Sequence, residues 1–116
     1  MPLAQPRVAQ NRQVTPVGNG FHWVLRQPPG SYTLQIGSVT DERKVIKFIQ
    51  SNGIESNSAY IKVVIDGVTR YNALFGTYPS YSEATQAIEE LPEPIKRAKP
   101  WVRNFGILHK LIQKDG

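Results

Sequence analysis

Tyr32, Leu34 and Ile36 alternate with Thr33 and Gln35, and Gly37-Ser38 closes the run. A period of two with β-branched and aromatic side chains is the pattern of a half-buried strand. Tyr32, Leu34 and Ile36 are predicted to face helices, with Thr33 and Gln35 on the opposite face. The pattern then changes to a helical one. Thr40 is a candidate cap, and Asp41 and Glu42 suit the positive end of a helix. Val45, Phe48 and Ile49 recur at helical spacing, with Lys44 and Lys47 on the wet side. Asn52-Gly53 stops this helix. Residues 60–65 return to period two, with Ile61, Val63 and Ile65 expected toward the core and Tyr60, Lys62 and Val64 on the other side. Asp66-Gly67 is a hairpin signal, so residues 70–76 should pair back antiparallel. Their alternation sends Tyr71, Ala73 and Phe75 to the core. It leaves Arg70, Asn72 and Leu74 on the face of Gln35. Ser80 and Glu83 fit a capping box, and Ala84, Ala87, Ile88 and Leu91 form the apolar stripe of a second helix. Pro92 and Pro94 end it. Residues 95–100 read as a turn or a short helical piece, and residues 101–107 as a fourth strand.

Strand, helix, strand, strand, helix, strand is a βαββαβ order. With right-handed crossovers it predicts an α+β, two-layer sandwich: a four-stranded antiparallel sheet with two helices on one face, RNP-like in topology. The other sheet face is expected to stay open and to carry the binding residues. The two halves also echo each other. Tyr32 through Gly37 and Tyr71 through Gly76 are each an alternating strand that ends in glycine before a capped helix, a repeat of about 40 residues.

Composition narrows the reading. At 116 residues there is room for one domain and its flanks, expected as a lead-in over residues 1–30, a domain over 31–109 and a tail over 110–116. Residues 1–20 are rich in Gln, Asn, Pro and Gly without periodicity, as in a linker. Phe21 through Leu25 is a short apolar patch, and Trp23 and Leu25 are expected to fold back onto the domain edge. Pro28 and Pro29 keep any helix from running into Tyr32. The absence of cysteine excludes disulfides and thiolate metal sites. No apolar run reaches the ~18 residues of a membrane span. The start of the chain lacks an export-signal pattern, so any export segment is expected outside it. Of the net charge of +5, the first 30 residues contribute +3 through Arg7, Arg12 and Arg26. The folded part is therefore only weakly basic, which argues against a nucleic-acid footprint.

Catalytic patterns are missing too. His22 and His109 are the only histidines, and neither has a carboxylate at triad or metal-ligand spacing. There is no Gly-rich phosphate loop. A binding module is expected, with no metal or cofactor. The RNA-recognition module shares the topology but needs two or three aromatics on its central strands. Here those positions hold Thr33, Gln35, Arg70, Asn72 and Leu74. A protein-interaction surface around Leu74 and Tyr60 is a further alternative.

The run Tyr32 through Ser38, the segment Tyr71 through Tyr78, Glu83-Ala84, and Lys99-Pro100-Trp101-Val102-Arg103, in this order and spacing, resemble the SPOR (sporulation-related repeat) domain family. The match covers about residues 31–109. The lead-in from Trp23 to Gly30 resembles the branch of that family found in cell-division proteins. The resemblance implies a periplasmic module, tethered to the inner membrane through a segment outside this chain. It implies binding to septal peptidoglycan, in particular glycan strands stripped of stem peptides. Glycan strands are thus the expected partner, other division proteins are further candidates, and a monomer is expected. Gln35 and Ser38 match positions that the family uses for septal binding. Where the cell-division branch carries a tryptophan on the third strand, this chain has Arg70. The sugar-stacking ring is therefore expected from Tyr60 or Phe105, or else a lower affinity is expected. Thr33 and Asn72 offer hydrogen bonds, Arg70, Lys62 and Arg103 can meet lactyl carboxylates, and Leu74 completes the face. Trp101 is expected to be a packing anchor.

Overall fold

The structure is a computed structural model and describes residues 20–113. The linker expected over residues 1–20 lies outside them except for Gly20, as do the last three residues of the tail. In chain order the elements are α1 (Phe21–Arg26), β1 (Tyr32–Val39), α2 (Glu42–Ser51), a 3-10 turn (Glu55–Asn57), β2 (Ser58–Ile65), β3 (Val68–Tyr78), α3 (Tyr81–Ile88), α4 (Glu93–Arg97), β4 (Trp101–Asn104) and α5 (Phe105–Gln113). The fold is α+β. The four strands form one sheet in the order β2-β3-β1-β4, with every neighbouring pair antiparallel. The predicted βαββαβ sandwich is therefore present, and α2 and α3 lie on one sheet face.

That face is the main core. Leu34, Ile36 and Ala73 from the sheet meet Val45 and Ile49 of α2, Ala84 of α3, and Leu91 and Ile95 beyond it. Each fully buried aliphatic side chain contributes about 1.5–3 kcal/mol. Local signals set the helix ends. Asp41, rather than Thr40, caps α2 by accepting a bond from the Arg43 N–H at 2.9 Å. Ser80 Oγ accepts from the Glu83 N–H at 3.1 Å, as the capping box predicts. At the hairpin tip both Asp66 and Gly67 have positive φ, which matches the strand twist.

The second sheet face is not fully open. α1 and α5 pack across its β2–β3 half, where Trp23, Val24, Phe105, Leu108 and Ile112 bury Ala59, Ile61, Val63 and Leu74. Trp23 and Phe105 meet edge to face at 5.5 Å. His109 Nε2 lies 2.7 Å from the Val24 carbonyl and ties the two helices together. The strand expected over residues 101–107 thus ends at Asn104, and Phe105 opens a helix that runs into the expected tail. Phe105, Leu108 and Ile112 recur at i, i+3 and i+7, a helical stripe that wins over the β propensity of the preceding Trp101-Val102.

This extra cover corrects the facing of β2. Tyr60 pairs with Ala73 and Lys62 with Tyr71, which places both on the α2 side of the sheet. Ile61 and Val63 are buried on the opposite face under α1 and α5. With apolar cover on both faces, alternation alone does not say which set faces which layer.

Two register shifts interrupt the β1–β3 ladder. One inserts an extra β1 residue between the Gln35–Leu74 and Gly37–Ala73 pairs. Ser38 would otherwise follow Leu34 and Ile36 into the core; after the bulge it pairs with Asn72 on Gln35's face. The other shift gives β3 an extra residue between Phe75 and Tyr78, where Gly76 has φ +72. A Cβ there would meet the Tyr78 hydroxyl at 2.5 Å, so the position requires glycine on two counts.

Candidate functional site

What stays uncovered on the second face is a strip over β4, β1 and the start of β3. Trp101 and Arg103 are two apart on β4, so both point to this face, while Val102 between them packs toward the main core. Trp101 pairs with Gln35, and Gln35 pairs with Leu74. The Arg103 guanidinium lies over the Trp101 ring, 4.4 Å from its centroid. Its Nη1 donates to Gln35 Oε1 at 2.6 Å. Burial of the guanidinium lowers its pKa from the ordinary arginine value, but it remains a cation at neutral pH. Gln35 is 9% exposed, and its carbonyl end is held by Arg103. The amide NH2 remains as its donor end.

A second hydrogen-bonded group continues the strip. Arg70 Nε donates to Ser38 Oγ at 2.9 Å, and Ser38 Oγ donates to Asn72 Oδ1 at 2.7 Å. Arg70 Nη2 also reaches the Ser38 carbonyl at 3.4 Å. The strip therefore presents an aromatic ring, two oriented guanidiniums, a hydroxyl and a primary amide, and none of these residues is a carboxylate. Such a set can stack on an apolar ring face, bond hydroxyls and amides, and meet an anion.

The expected site residues divide in three. Gln35, Ser38, Arg70 and Arg103 come together here, with Asn72 as a buried floor. Thr33 shares the face but is 0% exposed, and its hydroxyl bonds the Gly76 carbonyl at 2.6 Å, with that of Phe75 at 3.1 Å. It serves the β3 bulge. Leu74 is covered by the α1–α5 layer. The remaining three are elsewhere. Tyr60 is buried on the opposite face with its hydroxyl on Glu42, Lys62 lies on that same face, and Phe105 is a fully buried core residue. Neither expected ring can reach a ligand on the strip. Trp101, expected to be an anchor, is 53% exposed and supplies the aromatic surface. The signal that could have found it was its i, i+2 relation to Arg103 on a short strand beside β1.

These features define a binding module that displays a polar and aromatic strip on its sheet. The SPOR domain family model matches residues 28–104, more than half of the chain, and the chain belongs to that family of peptidoglycan-binding modules. It is also similar to the cell division protein DamX of Serratia marcescens, 32% identical over 80 residues, which are 68% of this chain and 37% of that protein. The chain thus spans little more than a third of that relative's length. Among the described residues, no helix is long and apolar enough to cross a membrane.

Proposed function

We propose that the chain binds the peptide-free glycan strands of septal peptidoglycan through Trp101, Arg103, Gln35, Ser38 and Arg70, and so directs its parent protein to the division site. The observation that carries this reading is Arg103, held between the Trp101 ring and Gln35 Oε1. The pair forms a fixed platform for a sugar face beside a fixed cation. Glycans offer apolar ring faces, hydroxyls and acetamido groups, and removal of stem peptides exposes lactyl carboxylates. Two guanidiniums suit those carboxylates through charge-assisted bonds. The Arg70 that replaces a ring on β3 thereby gains a role, because Trp101 supplies the stack. The parent protein is proposed to hold this module in the periplasm through an inner-membrane anchor outside the chain.

Purified sacculi rich in peptide-free glycan, and sacculi lacking it, test the proposal directly. The parent chain is expected on the first and not on the second. Gln35→Ala, Trp101→Ala and Arg70→Ala should each weaken retention while the chain stays folded. Equal retention on both materials, or undiminished retention by all three variants, contradicts it.

A further inference from the structure

β4 is much shorter than the edge it covers. It pairs with residues 32–35 of β1 and stops, because Lys99 turns the chain at φ +59 and Pro100 precedes Trp101 without an N–H. Beyond Gln35, no strand among the described residues lies on that side of residues 36–39. Exposed strand edges are normally short or blocked, since their backbone groups invite another chain. Here the edge is bordered by a cavity of about 300 Å³, lined by Ile36, Gly37, Ser38, Val39, Val45, Phe48 and Ala98. Most of these side chains are apolar. A strand laid in line with β4 would pass over its mouth.

The rims of the cavity are basic. Lys44 lies one turn before Phe48 on the same flank of α2 and is exposed. Of the nearby acids, Glu42 sits on the opposite flank, turned to β2 by its bond from the Tyr60 hydroxyl, and Asp41 is occupied as the cap of α2 and lies 3.6 Å from the Arg43 guanidinium. On the other rim, Arg97 and Lys99 flank Ala98, and all three are exposed. An acidic segment is therefore favoured over a basic one.

We infer that residues 36–39 and the adjoining cavity take an extended segment of a protein partner, added as an antiparallel strand in line with β4. One apolar side chain of the segment enters the cavity, and its flanking Asp and Glu residues meet Lys44, Arg97 and Lys99. Main-chain bonds supply affinity in this mode, and the pocket and charges supply selectivity. The surface adjoins the glycan strip at Ser38 but uses a different edge, so it does not depend on the glycan reading.

The probe is the synthetic peptide Asp-Glu-Val-Leu-Val-Glu-Asp, titrated into isotopically labelled chain and followed by amide NMR. Signals of residues 36–39 should shift and their amides should exchange more slowly. Replacing the four acids by lysine should weaken binding roughly tenfold. Ala98→Trp, which fills the mouth from an exposed position, should abolish the shifts while sacculus retention is unchanged. The charge reversal Lys44→Glu, Lys99→Glu should weaken the peptide without touching the core. No shift at residues 36–39, shifts confined to the Trp101 strip, or an unchanged titration in both variants overturns the assignment. So does a peptide-free glycan that shifts residues 36–39 and is blocked by Ala98→Trp, because the occupant would then be glycan.

Discussion

Arg103 Nη1 donates to Gln35 Oε1 at 2.6 Å across the β1–β4 pair, and this bond ties the two side chains into one unit of the proposed glycan surface. Arg103 fixes which end of the Gln35 amide is free, and Gln35 keeps the guanidinium over Trp101. Removing either should therefore disturb the other. Arg103→Ala and Gln35→Ala are each expected to lower affinity for peptide-free glycan by roughly ten- to a hundredfold, the scale of a bond to a charged group. The double variant should lose little more than the worse single, since the two losses overlap. Fluorescence or sedimentation isotherms on soluble glycan would measure all three. Additive losses would show that the residues act independently.

Thr33 gives the opposite expectation. Its hydroxyl serves the carbonyls of Phe75 and Gly76 at the β3 bulge. Thr33→Val keeps the shape and leaves those carbonyls without their donor, at a cost of about 1–3 kcal/mol. Urea unfolding should register that loss. Glycan affinity of the folded chain should stay near the parent value, and a selective loss of affinity at unchanged stability would return Thr33 to the ligand surface.

Tyr60 predicts a pH dependence. Burial first, and then the bond to and charge of Glu42, push its hydroxyl from 10.0 up to about 12. The folded state thus prefers the neutral phenol. That preference contributes stability in full below the unfolded value, and it is lost as pH rises from about 10 to about 12. The amount is on the order of 1 kcal/mol, because the ring is buried but the bond from its hydroxyl to exposed Glu42 is only partly so and is screened by solvent. Tyr60→Phe should be less stable than the parent at neutral pH but should fall less steeply above pH 10. Parallel urea titrations at several alkaline pH values decide this, and equal slopes would mean that folding does not raise the Tyr60 hydroxyl at all.

The sheet and its two covering helices were legible because their signals are local: alternation in residues 32–36 and 70–76, the Asp66-Gly67 turn and the Ser80 cap. Gln35 and Arg70 were placed correctly on one face for the same reason. Ser38 was legible only by resemblance, since strict alternation sends it to the core and a one-residue bulge brings it back. Tyr60 and Lys62 fall on the unexpected face for one reason, and Phe105 sits in a helix for another. A second apolar layer over β2 and β3 makes both faces of β2 hydrophobic, and alternation then loses its sense of direction. The α5 stripe that reveals this layer begins directly after a strand, so its helical period was masked by the preceding alternation. The exposure of Trp101 follows from the α1–α5 layer covering only the β2–β3 half of that face, a tertiary fact.

Phe105 offers the sharpest contrast between a ring that binds ligand and a ring that builds the fold. It is fully buried, meets Trp23 edge to face, and anchors α5 to the sheet; its N–H also donates to the Ser31 carbonyl at 2.9 Å. Phe105→Ala leaves a cavity at the α1–α5 seam and should cost about 3–5 kcal/mol, a large share of what a domain of this size holds. Exposed Ile61, Val63 and Leu74 would then favour aggregation on warming. Phe105→Leu keeps most of the volume and should cost about 1 kcal/mol, with glycan affinity unchanged. A sugar-stacking ring would behave in reverse, because leucine offers no flat π surface: Phe105→Leu would stay stable and lose affinity. Melting curves and sacculus retention of the two variants, measured side by side, separate these outcomes.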